Sequence, residues 1–216
     1  ADASNEKAVA RIYEVKGRPT DHPLIVHLYS MQVMGQWVDD VPEYAIDLAR
    51  DFWPGPMTLI LPRTELAKDF ITGGQDNVGV RVPSHTVALE LLEALDFPLA
   101  APSANPFGSI SPTTAKHVAD YFTGTLDIIL DGGSCDKGIE STIIGFENGE
   151  PILYRQGSTK TEDIEKITGA LKMRVHANNE SVMAPGMLSK HYAPNTTTVL
   201  TDNLVAEIAK HQGKSI

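Results

Sequence analysis

The sequence predicts an α/β domain built on a twisted, mixed parallel and antiparallel sheet with helices on its faces. Short apolar runs of strand length alternate with amphipathic helical segments over most of the chain. Most of these runs are bounded by proline or glycine, which end regular structure. Asn148-Gly149 separates two further apolar runs and is a strong hairpin signal. We therefore expect the sheet to change from parallel to antiparallel pairing near this hairpin.

The first hundred residues carry most of the predicted helices and strands. A helix that Ser4 or Asn5 can cap ends at Gly17, and Pro19 prevents its return. Pro42 fits the first turn of a later helix. The strands predicted in this part are 24–28, 57–61, 78–82 and 98–101, and the further helices are 31–38, 42–52 and 84–95.

The second half of the chain continues the alternation. Ser111-Pro112 fits an N-cap followed by a first-turn proline, so we expect a helix from there to Gly124. Residues 159–162 show the capping-box pattern of a short helix that ends near Gly169. The remaining predicted elements are the strands 127–130, 140–144, 151–155 and 197–200, the linker 176–194 and the helix 204–209.

The composition narrows the classes of function. With 28 acidic and 18 basic residues the formal net charge is −10, which weakens a case for strong direct nucleic-acid binding but leaves room for a local basic pocket. No apolar run approaches the roughly 20 residues that span a bilayer, so no membrane association is expected. The single cysteine, Cys135, cannot form an internal disulfide, which fits a reducing cytoplasm. Because the chain opens at Ala1 without Met, almost on a helix, we expect a segment to precede it.

Several common motifs are missing from the sequence. There is no Gly-x-x-x-x-Gly-Lys-Ser/Thr loop, no dinucleotide fingerprint after a strand, no His-Glu-x-x-His pair and no nucleophile elbow. Gly74 to Gly79 has the spacing of a phosphate loop, but Val80 follows where lysine is required. One cysteine supplies no cysteine-based zinc site, and we expect no metal held by the protein. The candidates that remain are polar residues at strand ends and in loops.

Two cations mark the end of the first predicted helix. Lys16 and Arg18 flank the helix-ending glycine, and His27 is the one polar residue in the strand that follows. Cations on a rigid turn beside an imidazole could hold a polyanion. The alternative is a basic helix end that complements the helix dipole, together with a hydrogen-bonded core histidine. The sequence alone leaves both open, and it favours the second.

Arg81 is the most unusual of the other candidates, because it lies inside an apolar strand. An unpaired guanidinium is costly there, so it needs an anionic partner, either a protein carboxylate or a substrate carboxylate. Ser103 and Asn105 follow the carboxyl end of a strand, the side where ligands bind in open α/β sheets. Both residue types are also common turn formers, and that reading stays open.

Three candidates come from the second half of the chain. Ser111, as a predicted N-cap, places a hydroxyl at a helix start that could seat a phosphate or simply cap the helix. Ser141 opens a strand after a glycine-rich loop. Arg155 ends the second strand of the predicted hairpin and by itself could be a surface residue. Each signal is weak alone.

Taken in order, the motifs resemble one family over nearly the whole chain. They are Lys16-Gly-Arg18-Pro with Pro23-Leu-Ile-Val-His27, Trp53-Pro-Gly-Pro-Met-Thr58, Val80-Arg-Val-Pro83, Ala101-Pro-Ser-Ala-Asn105 with Ser111-Pro-Thr113, Glu140-Ser-Thr142, Arg155-Gln-Gly157, and Pro185-Gly-Met with His191-Tyr-Ala-Pro194. This combination resembles the YrdC-like threonylcarbamoyl-AMP synthases, in the longer form with an extra C-terminal domain. The resemblance implies a catalytic domain at 1–175, a linker or lid at 176–194 and part of a small α/β domain at 195–216.

The resemblance implies a nucleotidyltransferase that condenses L-threonine, bicarbonate and ATP, with Mg, into threonylcarbamoyl-AMP and pyrophosphate. The product would feed the machinery that threonylcarbamoylates tRNA. Lys16 and Arg18 would be the catalytic cations on the phosphates. The nucleotide would also be held by His22, Asn77, Ser103, Asn105, Ser111, Arg155, His191 and Tyr192, and threonine by His27, Arg81, Ala101 and Ser141.

This sequence departs from the family pattern in three places. The family's N-terminal strand and threonine-binding loop do not precede the first helix, His22 stands where many members have Asn, and Asn77 where many have Ser or Thr. If no segment precedes Ala1 we expect an impaired enzyme, and if the sequence is part of a longer chain we expect the site to be intact. Two alternatives stay open: an RNA-binding module without catalysis, and transfer of a plain carbamoyl group as in hydrogenase-maturation proteins.

Overall fold

The computed structural model describes residues 1–174, 185, 192–194 and 196–211. In this part of the chain the strands are β1 (Ile25–His27), β2 (Met57–Pro62), β3 (Asn77–Arg81), β4 (Leu99–Ala100), β5 (Thr142–Glu147), β6 (Glu150–Arg155) and β7 (Lys172–Met173). The helices are α1 (Glu6–Lys16), α2 (Met34–Trp37) after a 3-10 turn (Met31–Val33), α3 (Glu43–Phe52), α4 (Asp69–Thr72), α5 (Thr86–Ala94), α6 (Ala115–Tyr121), α7 (Thr161–Thr168) and α8 (Leu204–Lys210). None of the described helices has the length and apolar character needed to cross a bilayer.

The seven strands form one mixed sheet in the order β4-β1-β3-β2-β5-β6-β7, which confirms the predicted fold class. The pairs β1–β3, β2–β5 and β6–β7 are parallel, whereas β1–β4, β2–β3 and β5–β6 are antiparallel. The prediction of one change of direction near the hairpin is therefore wrong. The segment between β2 and β3 holds only the single-turn helix α4, so the chain returns beside β2 in the opposite direction instead of crossing over the sheet.

Local chemistry explains both ends of α1. The side chain of Asn5 accepts a hydrogen bond from the amide of Ala8, which caps the first turn. Gly17 has a φ of 62°, a left-handed conformation that favours glycine. The amide of Arg18 then closes the helix by donating to the carbonyl of Tyr13 at 2.9 Å. The predicted end of the helix is confirmed, and it fixes the position of the cations on either side of Gly17.

The two faces of the sheet bury different residues. Along each strand, alternate side chains point to opposite faces. One face, which we call the core face, sends fully buried side chains such as Val26, Leu59 and Val80 against the helices, and it forms the main hydrophobic core. The other, which we call the cleft face, holds a smaller apolar cluster of Ile25, Ile60, Ile143, Ile152 and Tyr154. This smaller cluster leaves room on the cleft face for a site.

Two helix starts differ from prediction. The helix α6 is capped by Thr114, whose side chain accepts from the amide of His117, so Ser111 is not an N-cap. The start of α7 follows Lys160, and the predicted capping box does not form. Thr159 instead donates its hydroxyl to the carbonyl of Pro56 at 3.3 Å, which ties the helix start to the chain just before β2. In each case a tertiary hydrogen bond takes the side chain that sequence reasoning gave to the cap.

The predicted strands at 127–130 and 197–200 do not form, and the short strand β7 was missed. Ile128 is 78% exposed and Leu130 is 58% exposed, because no described strand lies beside this apolar run. An apolar run specifies a strand only where a partner edge is available. The predicted last helix is confirmed as α8, capped by Asn203. The predicted linker lies mostly outside the described residues.

Candidate active site

A cleft of about 710 Å³ opens on the cleft face of the sheet. Its volume is in the range of small-molecule sites. Many of the predicted site residues line it: Arg18, His27, Arg81, Ala101, Ser103, Ser111, Ser141, Arg155 and Tyr192. Arg18, Arg81 and Arg155, which come from separate segments of the chain, thus meet in one cleft.

Strand register explains why two of these side chains are neighbours. His27 of β1 pairs with Arg81 of β3, and both are the last residues of parallel strands. Two residues earlier, Ile25 pairs with Gly79 on the same face. A Cβ added to Gly79 would lie 3.3 Å from the side chain of Ile25, a tight contact. Glycine at this position therefore lets the side chain of Ile25 pack directly over β3.

Arg155 reaches the cleft through an irregularity in the β5–β6 ladder. The register shifts between Ile143, which pairs with Arg155, and Ile144, which pairs with Leu153. Tyr154 packs against Ile143 on the cleft face, and strict alternation would send the next side chain to the core face. The bulge turns Arg155 to the cleft face as well. Bulges commonly re-aim a side chain beside an active site in this way.

A tight turn holds the guanidinium of Arg81. Its Nε donates to the carbonyl oxygen of Gly55 at 2.8 Å, and the amide of Gly55 donates to the carbonyl of Val82 at 2.9 Å. Only glycine fits this turn, since a Cβ would lie 2.1 Å from the carbonyl oxygen of Phe52. The backbone therefore fixes one edge of the guanidinium and leaves its terminal nitrogens for another partner.

The described residues supply no carboxylate that pairs with Arg81. Burial, together with the charge of nearby Arg155, lowers the pKa of Arg81 to about 10. Of the two partners that the sequence left open for Arg81, the protein carboxylate is thus not seen in this part of the chain. Two guanidinium groups that raise each other's energy in a cleft favour an anionic ligand.

Arg155 has the most hydrogen bonds of the three arginines. Its Nε and Nη2 donate to the carbonyl of Ser141 at 3.1 and 2.9 Å, and Nη2 also donates to the Ser141 hydroxyl at 3.1 Å. Its Nη1 donates to the carbonyl of Pro185 at 2.7 Å and to Oη of Tyr192 at 3.1 Å. Burial raises the pKa of Tyr192, whose hydroxyl is also hydrogen-bonded to Ser103. Arg155 thereby joins β5 to residues that follow the catalytic domain predicted from the sequence.

Lys16 and Arg18 differ in their position relative to the cleft, since only Arg18 lines it. The ammonium of Lys16 donates to the carbonyls of Ser103 and Asn105, and the amide of Phe107 donates to the carbonyl of Lys16 at 2.8 Å. Lys16 thus supports the 103–107 turn from behind and is not among the residues lining the cleft. Burial, with a smaller contribution from Arg18, lowers the pKa of Lys16 to about 8.

Arg18 lies at the cleft wall. Its Nη2 donates to the carbonyl of Pro23 at 2.8 Å, and its guanidinium carbon lies 5.8 Å from the ring centroid of Phe107. Its buried Nε has no hydrogen-bond partner in the described part of the chain. Burial lowers the pKa of Arg18. A buried donor without a partner is unusual in native proteins, and here it adds to the case for an anionic ligand.

The predicted serines and Asn105 differ in their partners. Ser111 donates its hydroxyl to the carboxylate of Glu140, so it joins two loops at the cleft wall. Asn105 is 1% exposed, and its amide nitrogen donates to the carbonyls of Pro106 and Ser109 at 3.0 and 2.7 Å. Its amide oxygen has no hydrogen-bond partner among the described residues. Asn105 therefore shapes the turn that displays Ser103.

His27 is kept neutral at physiological pH. Burial, with a smaller contribution from the charge of Arg81, lowers the pKa of His27 to about 4. Its Nδ1 is buried and has no hydrogen-bond partner among the residues that the structure describes. His27 lines the cleft, where its neutral imidazole adds no charge.

Like Lys16 and Asn105, the predicted ATP-binding residues His22 and Asn77 are not among the described residues that line the cleft. His22 packs its ring against Phe107, with centroids 5.3 Å apart, beside Arg18. Asn77 shares the cleft face with Arg81 but begins β3, about 13 Å away along the strand. His191 lies outside the described residues. All three assignments stay predictions.

Two protein-family models match this chain. The model of the Sua5, YciO and YrdC proteins, described as "Telomere recombination", matches residues 1–157. A second model, described as "Threonylcarbamoyl-AMP synthase, C-terminal domain", matches residues 159–215. A threonylcarbamoyl-AMP synthase of Pseudomonas putida is 36% identical over 151 residues, which cover 70% of this chain and 81% of that relative. The chain belongs to the YrdC-like threonylcarbamoyl-AMP synthase family.

Longer members of the family are also similar. The threonylcarbamoyl-AMP synthase of Pyrococcus abyssi is 45% identical over 205 residues, which cover 94% of this chain and 60% of that protein. The crystal structure of P. abyssi Sua5 complexed with L-threonine has a TM-score of 0.85, with 45% identity, and the match covers 90% of this chain and 58% of that one. The chain thus spans about three-fifths of the length of this relative.

Three residues that support side chains of the cleft were not predicted from the sequence. Gly55 holds Arg81, Thr58 is hydrogen-bonded to Ser141, and Glu140 accepts from Ser111. All three lie within motifs that carried the family resemblance, yet they received no role. A threonine inside a run as apolar as 57–61 was the available signal, because a buried hydroxyl needs a partner.

The described residues do not form a protein cage for a divalent metal. They contain no group of three or more His, Cys, Asp or Glu side chains that could hold one. Asp136 and Glu140 line the cleft, and Glu140 already accepts from Ser111. Mg²⁺ bound by the protein alone needs an octahedral set of oxygens. The residues present do not fit such a set.

Proposed function

We propose that the protein is an L-threonylcarbamoyladenylate synthase, which condenses L-threonine, bicarbonate and ATP into threonylcarbamoyl-AMP and pyrophosphate. The observation that carries this proposal is Arg81, a half-buried guanidinium that lines the cleft beside Arg155 and has no carboxylate partner among the described residues. The names of the relatives support it, as does the threonine bound to P. abyssi Sua5. The residue roles below belong to the same proposal.

Threonine binds near the end of β3. Arg81 pairs with its carboxylate through the terminal guanidinium nitrogens, a geometry that suits a planar anion. His27 and Ser141 contribute neutral hydrogen bonds, and Ala101 forms part of the wall. Because His27 is neutral, the charge that attracts the carboxylate comes from the arginines.

ATP binds toward the turns at 103–111. Arg18 and Arg155 face the phosphates, while Ser103 and Ser111 offer hydroxyl groups and Tyr192 covers the nucleotide from the linker side. Lys16 uses two of its three N–H donors on backbone carbonyls, which leaves one for a phosphate oxygen. Lys16 also positions the turn that carries Ser103.

The chemistry requires charge stabilisation and positioning more than proton transfer. The amine of threonine and bicarbonate form a carbamate with loss of water. A carbamate oxygen then attacks the α-phosphorus of ATP, and the bond to pyrophosphate breaks as the new P–O bond forms. Negative charge on the transferred and leaving oxygens is stabilised by donors that are already in place. The arginines of the cleft are such donors. Mg²⁺ that accompanies ATP would take its ligands from the triphosphate and water, since the described residues offer no ligand set for it.

Product analysis tests this function. Purified protein is incubated with ATP, L-threonine and bicarbonate, and the products are separated by chromatography and identified by mass spectrometry. We expect threonylcarbamoyl-AMP and an equal amount of pyrophosphate, with no turnover when threonine or bicarbonate is left out. ATP hydrolysis that does not depend on threonine would overturn the proposal.

The chemistry of the product indicates which kind of reaction must consume it. A mixed anhydride of a carbamate and a phosphate is reactive, so we infer that a tRNA threonylcarbamoyl-transfer machinery consumes it in the cytoplasm. The alternative of an RNA-binding module is not favoured, since the net charge is −10 and three arginines are gathered in a small-molecule cleft. Tight, salt-sensitive tRNA binding without ATP would reverse this order.

A further inference from the structure

Thr58 is a buried polar residue that the proposed function does not use. It is fully buried in β2, between the neighbouring strands β3 and β5. It pairs in register with Ile143, and it lies on the cleft face, where its methyl group approaches Gly79. Its hydroxyl oxygen lies 2.8 Å from the hydroxyl oxygen of Ser141. The side chain is thus fixed by packing on one side and by a hydrogen bond on the other.

The hydrogen bonds of Ser141 can be assigned by counting donors and acceptors. A serine hydroxyl has one hydrogen to donate and two lone pairs to accept with. One lone pair of Ser141 accepts from Nη2 of Arg155 at 3.1 Å. Thr58 then either donates to the second lone pair of Ser141 or accepts the one hydrogen that Ser141 has.

The buried position of Thr58 decides between these two arrangements. Ser141 is the only hydrogen-bond partner of the Thr58 hydroxyl among the described residues. If Thr58 accepted, its own hydrogen would be a buried donor without a partner, which native proteins avoid more strictly than a spare lone pair. Thr58 therefore donates. Both lone pairs of Ser141 are then occupied, and its hydrogen is free to point into the cleft.

We propose that Thr58 is a positioning residue that makes the hydroxyl of Ser141 a hydrogen-bond donor toward threonine. This inference rests on the proposed function, since it assumes that threonine binds beside Ser141. A donor suits the carboxylate or carbamate oxygens of the substrate, which accept and do not donate. Chains of hydrogen bonds also polarise one another, so donation by Thr58 strengthens donation by Ser141.

The test replaces Thr58 by valine, which has nearly the same shape and no hydroxyl. We expect Thr58→Val to raise the KM for threonine, and the Kd for threonine by calorimetry, about tenfold, the size of one lost hydrogen bond. The KM for ATP should change less than twofold. Thr58→Ser, which keeps the hydroxyl, should restore most of the threonine affinity. Thr58→Ala gives the same comparison should the valine variant not fold.

Two controls separate this role from general loss of packing. Thr72 is also fully buried, and its hydroxyl has no described partner, so Thr72→Val removes a matched hydroxyl far from Ser141 and should leave threonine binding unchanged. In a Ser141→Ala background, Thr58→Val should change threonine affinity less than twofold, because its effect passes through Ser141.

The outcomes also distinguish this inference from the proposed function. Full threonine affinity in Thr58→Val, or a tenfold loss that persists without Ser141, overturns the positioning role while the synthase function stands. A wild-type protein that neither binds threonine nor forms threonylcarbamoyl-AMP overturns both. Loss of affinity for ATP and threonine to the same extent would show a structural role only.

Discussion

The two faces of the sheet use the same strands for different purposes. The core face is closed, and its side chains need nothing but apolar neighbours. The cleft face carries the Thr58 hydroxyl, the His27 imidazole and the Arg81 guanidinium, and the last two have nitrogen atoms without a hydrogen-bond partner among the described residues. Adjacent residues of one strand make the contrast: Val26 and His27 in β1, Leu59 and Thr58 in β2, Val80 and Arg81 in β3.

Along these strands, residues that stabilise the fold alternate with residues that line or support the proposed binding site. Burying the core face stabilises the fold without any ligand. Gathering Arg18, Arg81 and Arg155 opposes folding, because burial lowers the pKa of each guanidinium and the charge of Arg155 lowers that of Arg81 further. An anion that enters the cleft relieves this cost, so ligand binding should stabilise the protein. Substitutions on the core face should therefore lower the free energy of unfolding and leave threonine binding unchanged. Substitutions of the cleft arginines should weaken threonine binding without loss of stability.

The largest expected effect is on the core face. Leu59 is fully buried in the main core, so Leu59→Ala leaves a cavity and should lower the free energy of unfolding by about 2–5 kcal/mol. Urea denaturation measures this loss. The KM for threonine of the folded fraction should not change. A stable Leu59→Ala protein with weakened threonine binding would contradict the division between the faces.

Arg81→Ala should show the opposite signature. It removes the proposed partner of the threonine carboxylate, and kcat/KM for threonine should fall about 100-fold or more, the range for truncating a buried charge pair. The melting temperature should hold or rise, because a repelling charge beside Arg155 is gone. Initial rates measure kcat/KM, and differential scanning calorimetry measures the melting temperature.

The control for this variant is Arg50→Ala. Arg50 is an exposed arginine paired with Asp47, and its removal should alter neither threonine use nor stability appreciably. An unchanged threonine response in Arg81→Ala would remove the assignment of the carboxylate site.

Gly55→Ala should have an intermediate effect. A Cβ would lie 2.1 Å from the carbonyl oxygen of Phe52, so the turn must move, and with it the acceptor of the Arg81 Nε. We expect the KM for threonine to rise about tenfold through the displaced guanidinium. Gly35→Ala is the matched control, because nothing lies within 4 Å of its added Cβ. Equal behaviour of the two variants would argue against this turn as the support of Arg81.

The smallest expected effect is a pH dependence from His27. Its folded pKa of about 4 lies below the ordinary value of 6.5, so the unfolded chain binds more protons between these limits. Stability should therefore fall as the pH drops through this range. At pH 5 the wild type should lose about 1–2 kcal/mol more than His27→Asn does, relative to pH 7. Urea denaturation at the two pH values measures it, and parallel losses would contradict a buried neutral imidazole.

Local chemistry made parts of the fold predictable from sequence. Gly17 ends α1, and Asn148-Gly149 forms the turn between β5 and β6 with positive φ at both positions, as their residue types indicate. Arg81 was identifiable because a guanidinium in an apolar strand needs a partner. In these cases the deciding interaction lies within a few residues or in the cost of one buried group.

Other features depend on contacts that no local pattern specifies. The run at 127–130 has strand composition, but no described strand is beside it. Ser111 looked like a cap and instead donates to Glu140, which is distant in sequence. The bulge that turns Arg155 to the cleft could not be read from strand alternation, which gives one face to each residue. The family resemblance assigned Ser111 and Arg155 to one site, which the chemistry of the single residues could not do.

The most direct test is a crystal structure of the protein with L-threonine and a non-hydrolysable ATP analogue. The account predicts the threonine carboxylate within hydrogen-bonding distance of the terminal nitrogens of Arg81, the hydroxyl of Ser141 directed at the same ligand, and the phosphates beside Arg18. Threonine bound away from Arg81, or a nucleotide on another surface with the three arginines of the cleft unengaged, would contradict it.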